Sequence, residues 1–115
     1  MAKVRSLCVY CGSSAGGDPR YSALAEAAGA EIAARGLRLV YGGAETGLMG
    51  VCARAALRGG GQVLGVIPEF LIPVEGAEPG VTLRKVATMA SRKAMMIAEA
   101  DAFLTLPGGA GTIEE

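Results

Sequence analysis

The sequence predicts an α/β protein with a parallel sheet, and three observations carry that reading. Short apolar runs alternate with stretches of helical periodicity. Three glycine-rich turns, Cys11 to Gly17, Gly42 to Gly47 and Pro107 to Thr112, each follow an apolar run on its C-terminal side. The chain has 115 residues, 51% of them hydrophobic, which suits one domain with a core of its own.

The elements follow in order. Val4 to Tyr10 is β-rich and leads into the small-residue loop Cys11 to Gly17. Asp18 is placed to cap a helix that begins at Pro19, has Tyr21, Leu24, Ala25, Ala28 and Ile32 at helical spacing, and stops at Gly36. Leu37 to Tyr41 is a second strand. The turn Gly42 to Gly47 then opens a helix from Leu48 to Arg58, with Val51, Cys52 and Ala55 inward and Arg54 and Arg58 outward. A third strand, Gln62 to Ile67, is broken by Pro68. Pro73, Gly76 and Pro79 make Glu69 to Gly80 an irregular surface excursion of the kind that serves as a lid. Val81 to Val86 is a short extended segment. Thr88 caps a helix from Met89 to Ala100 whose apolar set is Met89, Met96, Ile97 and Ala100, with Met95 also read as core. Asp101 is a turn residue before Ala102 to Leu106, which reads as a buried strand.

Composition excludes several classes of function. Eleven basic and eleven acidic residues are interspersed, so nothing in the charge pattern marks a nucleic-acid or membrane-surface partner. No apolar stretch reaches transmembrane length, the N-terminus leads into a strand rather than a signal peptide, and the cytoplasm is the expected compartment. With three cysteines and no histidine, a closed four-ligand zinc site lacks donors, and no metal or cofactor is expected. Cys8 lies within a strand, unlike the helix-start thiol of a redox pair, so Cys8, Cys11 and Cys52 are read as buried, inert thiols. Without histidine, acid–base chemistry falls to carboxylates, lysine or tyrosine.

In a parallel α/β sheet, ligands bind beyond the carboxyl ends of the strands, where the three glycine-rich turns converge. Pro107-Gly108-Gly109-Ala110-Gly111-Thr112 has little side-chain bulk, and Thr112 is a good N-cap, so backbone amides and a helix dipole can grip an anion there. Familiar nucleotide fingerprints fail in detail. Gly42 to Gly47 is followed by Leu48-Met49 instead of Lys-Ser/Thr, and position 114 is glutamate where GxGxxG requires glycine. No pyrophosphate track is evident, which favours a ligand bearing one phosphate.

Four stretches, Tyr10 to Ser14, Tyr41 to Gly50, Met89 to Lys93 and Pro107 to Glu115, resemble the LONELY GUY (LOG) family. These are cytokinin riboside 5′-monophosphate phosphoribohydrolases, long labelled possible lysine decarboxylases. The resemblance implies a Rossmann-like three-layer sandwich and a homodimer or higher homo-oligomer. It also implies hydrolysis of the N-glycosidic bond of AMP or an N6-substituted adenosine 5′-monophosphate. Carried residue by residue, the family's essential arginine falls on Arg92, and its glutamate, last in the Pro-Gly-Gly-x-Gly-Thr-x-x-Glu pattern, on Glu115. A carboxylate can stabilise an oxocarbenium-like cation and orient the attacking water, whereas arginine stays protonated and suits the phosphate or the departing base. Gly108, Gly109, Gly111 and Thr112 are expected to bind phosphate, with Gly43 and Thr46 contributing. Ser13, Ser14 or Glu45 would contact ribose or base, and Lys93 would assist by charge.

Plainer readings stand beside these. Ser13 and Ser14 serve equally as loop hydrogen-bonders, Glu45 as a solvated turn, Lys93 as solvated surface, and Glu114 and Glu115 as carboxylates matched to a helix dipole. Family members continue beyond the position of Glu115, so residues 1–115 are expected to form a single Rossmann-like domain that lacks its C-terminal strands and helices. A non-catalytic nucleotide or cofactor carrier on the same fold is the alternative function. A decarboxylase is disfavoured, because nothing marks a pyridoxal-phosphate lysine with its partner groups.

Overall fold

The computed structural model describes residues 3–12 and 19–107. Its strands are β1 (Ser6–Tyr10), β2 (Arg38–Tyr41), β3 (Val63–Pro68), β4 (Thr82–Val86) and β5 (Ala102–Thr105). Its helices are α1 (Pro19–Ala34), α2 (Gly47–Arg58), the single turn α3 (Ile72–Glu75) and α4 (Met89–Glu99), with a 3-10 turn at Glu69–Leu71 before α3. All strands run parallel in the order β4-β3-β2-β1-β5.

Successive residues of a strand face opposite sides of the sheet, and this sorts the core into two layers. Val9, Leu39, Tyr41 and Val63 pack beneath α1 and α2 with Leu48, Cys52 and Ile32. Cys8, Val40, Leu64 and Val66 pack on the other side with Met96 of α4. The central strands are therefore covered on both faces, which is why their sequences are continuously apolar rather than alternating.

Several boundaries and faces differ from expectation. Pro68 ends β3 instead of breaking it and pairs with Val86, since the final residue of a strand has least need of an N–H. The extended segment at 81–86 is a full edge strand, with Thr82, Arg84 and Lys85 exposed as suits an unpaired margin. β5 was expected to be buried, but among the described residues it is also an edge. Phe103 is 49% exposed, with its ring stacked on Tyr10 at 6.0 Å between centroids. An apolar run of this length does not reveal whether its strand is central or marginal.

The helices show a similar pattern. In α1, Leu24 faces solvent, while Ala25, Gly29 and Ile32 face inward. Gly29 lets α1 and α2 touch: an added Cβ would overlap the Cys52 carbonyl and stand 3.0 Å from the Ala55 Cβ. In α4, Thr88 Oγ1 accepts the Ser91 N–H at 3.0 Å, the expected cap. The expected apolar stripe is not the buried one, however. Met89 and Ile97 are exposed, Met95 is half-buried, and the buried side chains are Met96 and, one helical turn earlier, Arg92.

Asp101 sits in the bend before β5, where its carboxylate accepts the N–H groups of Arg5 at 2.8 Å and Ser6 at 3.0 Å. These bonds hold its pKa below the ordinary carboxylate range and fasten the start of β1. Among the described residues, no helix is long and apolar enough to cross a membrane.

Candidate active site

Strand order reverses at β1, which has β2 on one side and β5 on the other, and in parallel sheets ligands bind beyond the carboxyl ends of the strands at such a reversal. The turns predicted to bind phosphate and sugar are the ones that leave β1 and β5. Ser13 and Ser14, and likewise Gly108, Gly109, Gly111, Thr112, Glu114 and Glu115, lie outside the described residues. The start of α2 is tied to the same region, because Met49 donates its N–H to the Gly12 carbonyl at 3.3 Å.

Arg92 is the organising side chain of the described part. It is 3% exposed and crosses the carboxyl edge of the sheet. Its Nε donates to the carbonyl of Val66 on β3 at 3.0 Å. Its Nη2 donates to the carbonyl of Gly42, just past β2, and pairs with Glu75 Oε1 at 3.3 Å, beside the Met49 sulfur at 3.8 Å. Among the described residues, Nη1 meets only the sulfur of Met89, at 3.9 Å. Gly42 makes this seat possible: any Cβ there would overlap the guanidinium. A charge this deeply buried requires such partners, because desolvation without them costs several kcal/mol.

The segment 69–80, expected to be an irregular lid, is instead folded and pinned in this structure. Glu75 holds Arg92, and its carbonyl accepts the Glu45 N–H at 3.3 Å. Glu78 donates its N–H to the Gly43 carbonyl at 3.2 Å and pairs its buried carboxylate with Arg54 at 3.0 Å. Arg54 also donates to the Glu45 carbonyl at 3.0 Å, so it bridges segments instead of standing free on an outer face.

The remaining predicted residues divide. Gly43 is buried with φ +81°, and a Cβ there would lie 3.2 Å from the Ile67 Cβ, so its position is fixed by close packing. Thr46 is the N-cap residue of α2, exposed, with a side chain that makes no capping bond. Lys93 is half-buried and makes no hydrogen bond or ion pair among the described residues. Glu45 is exposed but held by its backbone.

Buried Tyr41 and Cys52 are poor proton carriers. Burial, with Glu78 next in effect, pushes Tyr41 above the ordinary phenol range while its hydroxyl faces the Ala44 carbonyl at 3.4 Å. Cys8, Cys11 and Cys52 are buried thiols outside any disulfide, and burial pushes the Cys52 thiol up to about 12. Two hollows, of about 350 and 580 Å³, open at the amino edge of the sheet around Arg38, away from this chemistry. Arg38 is engaged there by Ser6 and Glu99, so the carboxyl edge remains the candidate site.

Sequence reasoning missed Glu75, Glu78 and the reason for Gly42. The available signal was the pair of carboxylates between prolines and glycines in Pro73 to Gly80, which turn composition alone makes look like solvated loop.

A doubly covered parallel sheet, glycine-rich turns and an arginine across its carboxyl edge define a Rossmann-like α/β protein. Residues 49–115 match the family described as "Possible lysine decarboxylase", and the chain belongs to that family, the LOG family of the sequence resemblance. It is 46% identical over 115 residues to the cytokinin riboside 5′-monophosphate phosphoribohydrolase LOG1 of Arabidopsis thaliana, covering 99% of this chain and 54% of the relative. It is 51% identical over 113 residues to the cytokinin riboside 5′-monophosphate phosphoribohydrolase of Rhodococcoides fascians, covering 96% and 57%. The chain thus spans about half the length of the curated relatives it matches.

Among solved structures, the molybdenum cofactor carrier protein of Chlamydomonas reinhardtii superposes with a TM-score of 0.78 at 22% identity, covering 98% of this chain and 68% of that one. The molybdenum cofactor binding protein of Rippkaea orientalis gives 0.81 at 20% identity, covering 99% and 69%. At such identities the likeness shows the fold alone.

Proposed function

We propose that the intact protein hydrolyses the N-glycosidic bond of AMP or an N6-substituted adenosine 5′-monophosphate, giving free base and ribose 5-phosphate. The observation that carries this reading is Arg92, a buried arginine seated at the carboxyl edge at the position of the family's essential arginine. The names of the relatives, 46% and 51% identical, supply the substrate class.

Water attacks C1′ as the bond to the base nitrogen breaks. The new C–O bond leaves the sugar as ribose 5-phosphate, and the water proton passes to the departing base. Positive charge at C1′ in the transition state is stabilised by the Glu115 carboxylate, which also orients the water. The amides of Gly108 to Gly111 and the Thr112 hydroxyl hold the phosphate, with the exposed Thr46 contributing. Gly43 shapes the turn, and Ser13 and Lys93 complete the substrate contacts. Arg92 supplies fixed positive charge to phosphate or leaving base without transferring a proton.

The reading includes a homodimer or higher homo-oligomer in the cytoplasm. Exposed Ile97 and Phe103 offer apolar surface for self-association, and three buried thiols outside any disulfide suit a reducing compartment. The test is chromatographic detection of free base from AMP. Arg92→Ala and Glu115→Gln are each expected to lower turnover by about 10²-fold or more. Undiminished turnover in both would remove these residues from the mechanism.

A further inference from the structure

We propose that Glu75 is the positioning residue of Arg92, fixing which edge of the guanidinium meets the nucleotide; this rests on the function proposed above. A guanidinium carries five N–H donors in a planar fork. In this structure Nε is taken by the Val66 carbonyl, and the two hydrogens of Nη2 are taken by the Gly42 carbonyl and Glu75 Oε1. Among the described residues, Nη1 has only the weak Met89 sulfur, at 3.9 Å. A nearly fully buried cation thus keeps one nitrogen with two strong donors unspent, beside a methionine that is 39% exposed at the start of α4.

Carbonyl acceptors alone do not orient a cation strongly, because each offers only a partial charge. Glu75 is the carboxylate paired with this guanidinium among the described residues, and its own side chain is only 13% exposed, so the pair is poorly screened. The backbone aims Glu75 as well: its carbonyl accepts the Glu45 N–H, and Gly76, with φ +72°, turns the chain closely past the Glu45 side chain. Glu78, held by Arg54, anchors the same segment a few residues further on. The segment expected to be a lid therefore acts as a brace that locks the plane of the guanidinium and leaves Nη1 for substrate.

The experiment uses the intact protein, with Glu75→Ala and Glu75→Gln compared with wild type by two readouts. One is base release from AMP. The other is the rate at which phenylglyoxal modifies Arg92, followed by peptide mass spectrometry. Glu75→Ala is expected to lower kcat/KM by about 10²-fold, the scale of an ångström-sized misplacement of a catalytic group. Glu75→Gln keeps the Oε1 acceptor without the charge and is expected to restore about tenfold of that loss. Arg92 modification is expected to be faster in Glu75→Ala than in wild type, with Glu75→Gln between them. Wild-type kcat/KM together with an unchanged modification rate in Glu75→Ala would overturn the assignment. If wild type released no base, the proposed function would fail, and the modification rates alone would then decide whether Glu75 holds Arg92.

Discussion

Replacing Gly42 by alanine tests how the buried cation is seated. The φ of Gly42 is not positive, so the substitution probes space and not backbone strain. The added methyl would overlap Arg92 Nη2 and stand 2.7 Å from the Met49 sulfur, well inside an ordinary contact of about 3.5–4.0 Å. Relief requires the guanidinium to withdraw, losing Gly42 and weakening Glu75. Overpacking costs about 1–3 kcal/mol and each lost bond to a charged group about 1.5–3 kcal/mol, so the destabilisation is about 3–5 kcal/mol. For 115 residues, at about 2.1 cal/mol/K of unfolding entropy per residue, each kcal/mol lowers Tm by about 4 °C. Scanning calorimetry of the variant is thus expected to show a fall of about 12–20 °C. Gly60→Ala is the control: Gly60 has φ +78° and open space around it, so only backbone strain of about 1–2 kcal/mol is expected. If Gly42→Ala melted no lower than Gly60→Ala, the seat described for Arg92 would be wrong.

Two pH-dependent outcomes follow from buried or hydrogen-bonded groups. Burial raises the Cys52 thiol from an ordinary value of 9.0 to about 12, so the unfolded chain loses its proton first as pH rises. Urea unfolding should show stability falling from near pH 9 towards 12, by about 1 kcal/mol at pH 10 from this thiol, with Tyr41 adding in the same direction above its ordinary range; Cys52→Ala should remove the thiol part. Native Cys52 should also resist iodoacetamide at pH 8 and react once urea unfolds the chain, because the thiolate is the reactive form. Asp101 has the opposite sign. Its folded pKa lies below the ordinary value of 3.8, so its contribution is present above that pH and lost as pH falls through the folded value. Asp101→Asn should flatten the acid limb of the stability profile below about pH 4, and an unchanged limb would show that Arg5 and Ser6 do not hold the carboxylate in solution.

Much of the fold was legible because it depends on local rules. Pro19 at a helix start, Thr88 as a cap and the β-rich runs before each glycine turn are statements about a few consecutive residues, and the structure places them as the sequence suggests. The parallel sheet followed from alternation, and the expectation that the thiols are buried followed from their neighbours. Facing was harder to read. Periodicity assigned Met89, Ile97 and Leu24 to the interior, but a helix lying on one face of a sheet buries a narrower stripe than its apolar content suggests, and those three are exposed.

The sequence by itself determined the order of strands and helices, the glycine-rich stretch that follows each of three strands and the residues that carry the family resemblance, because each depends on chain neighbours or fixed spacing. Tertiary structure alone decided that Arg92 is buried, that Gly42 is there to admit it, and that Glu75 and Glu78 lie against the site. Arg92 meets Glu75 across 17 positions and Gly42 across 50, and contacts so distant in the chain exist only once the sheet has brought its carboxyl ends together. A charged side chain in a helix reads as solvent-facing until a carboxylate and two carbonyls are found waiting for it.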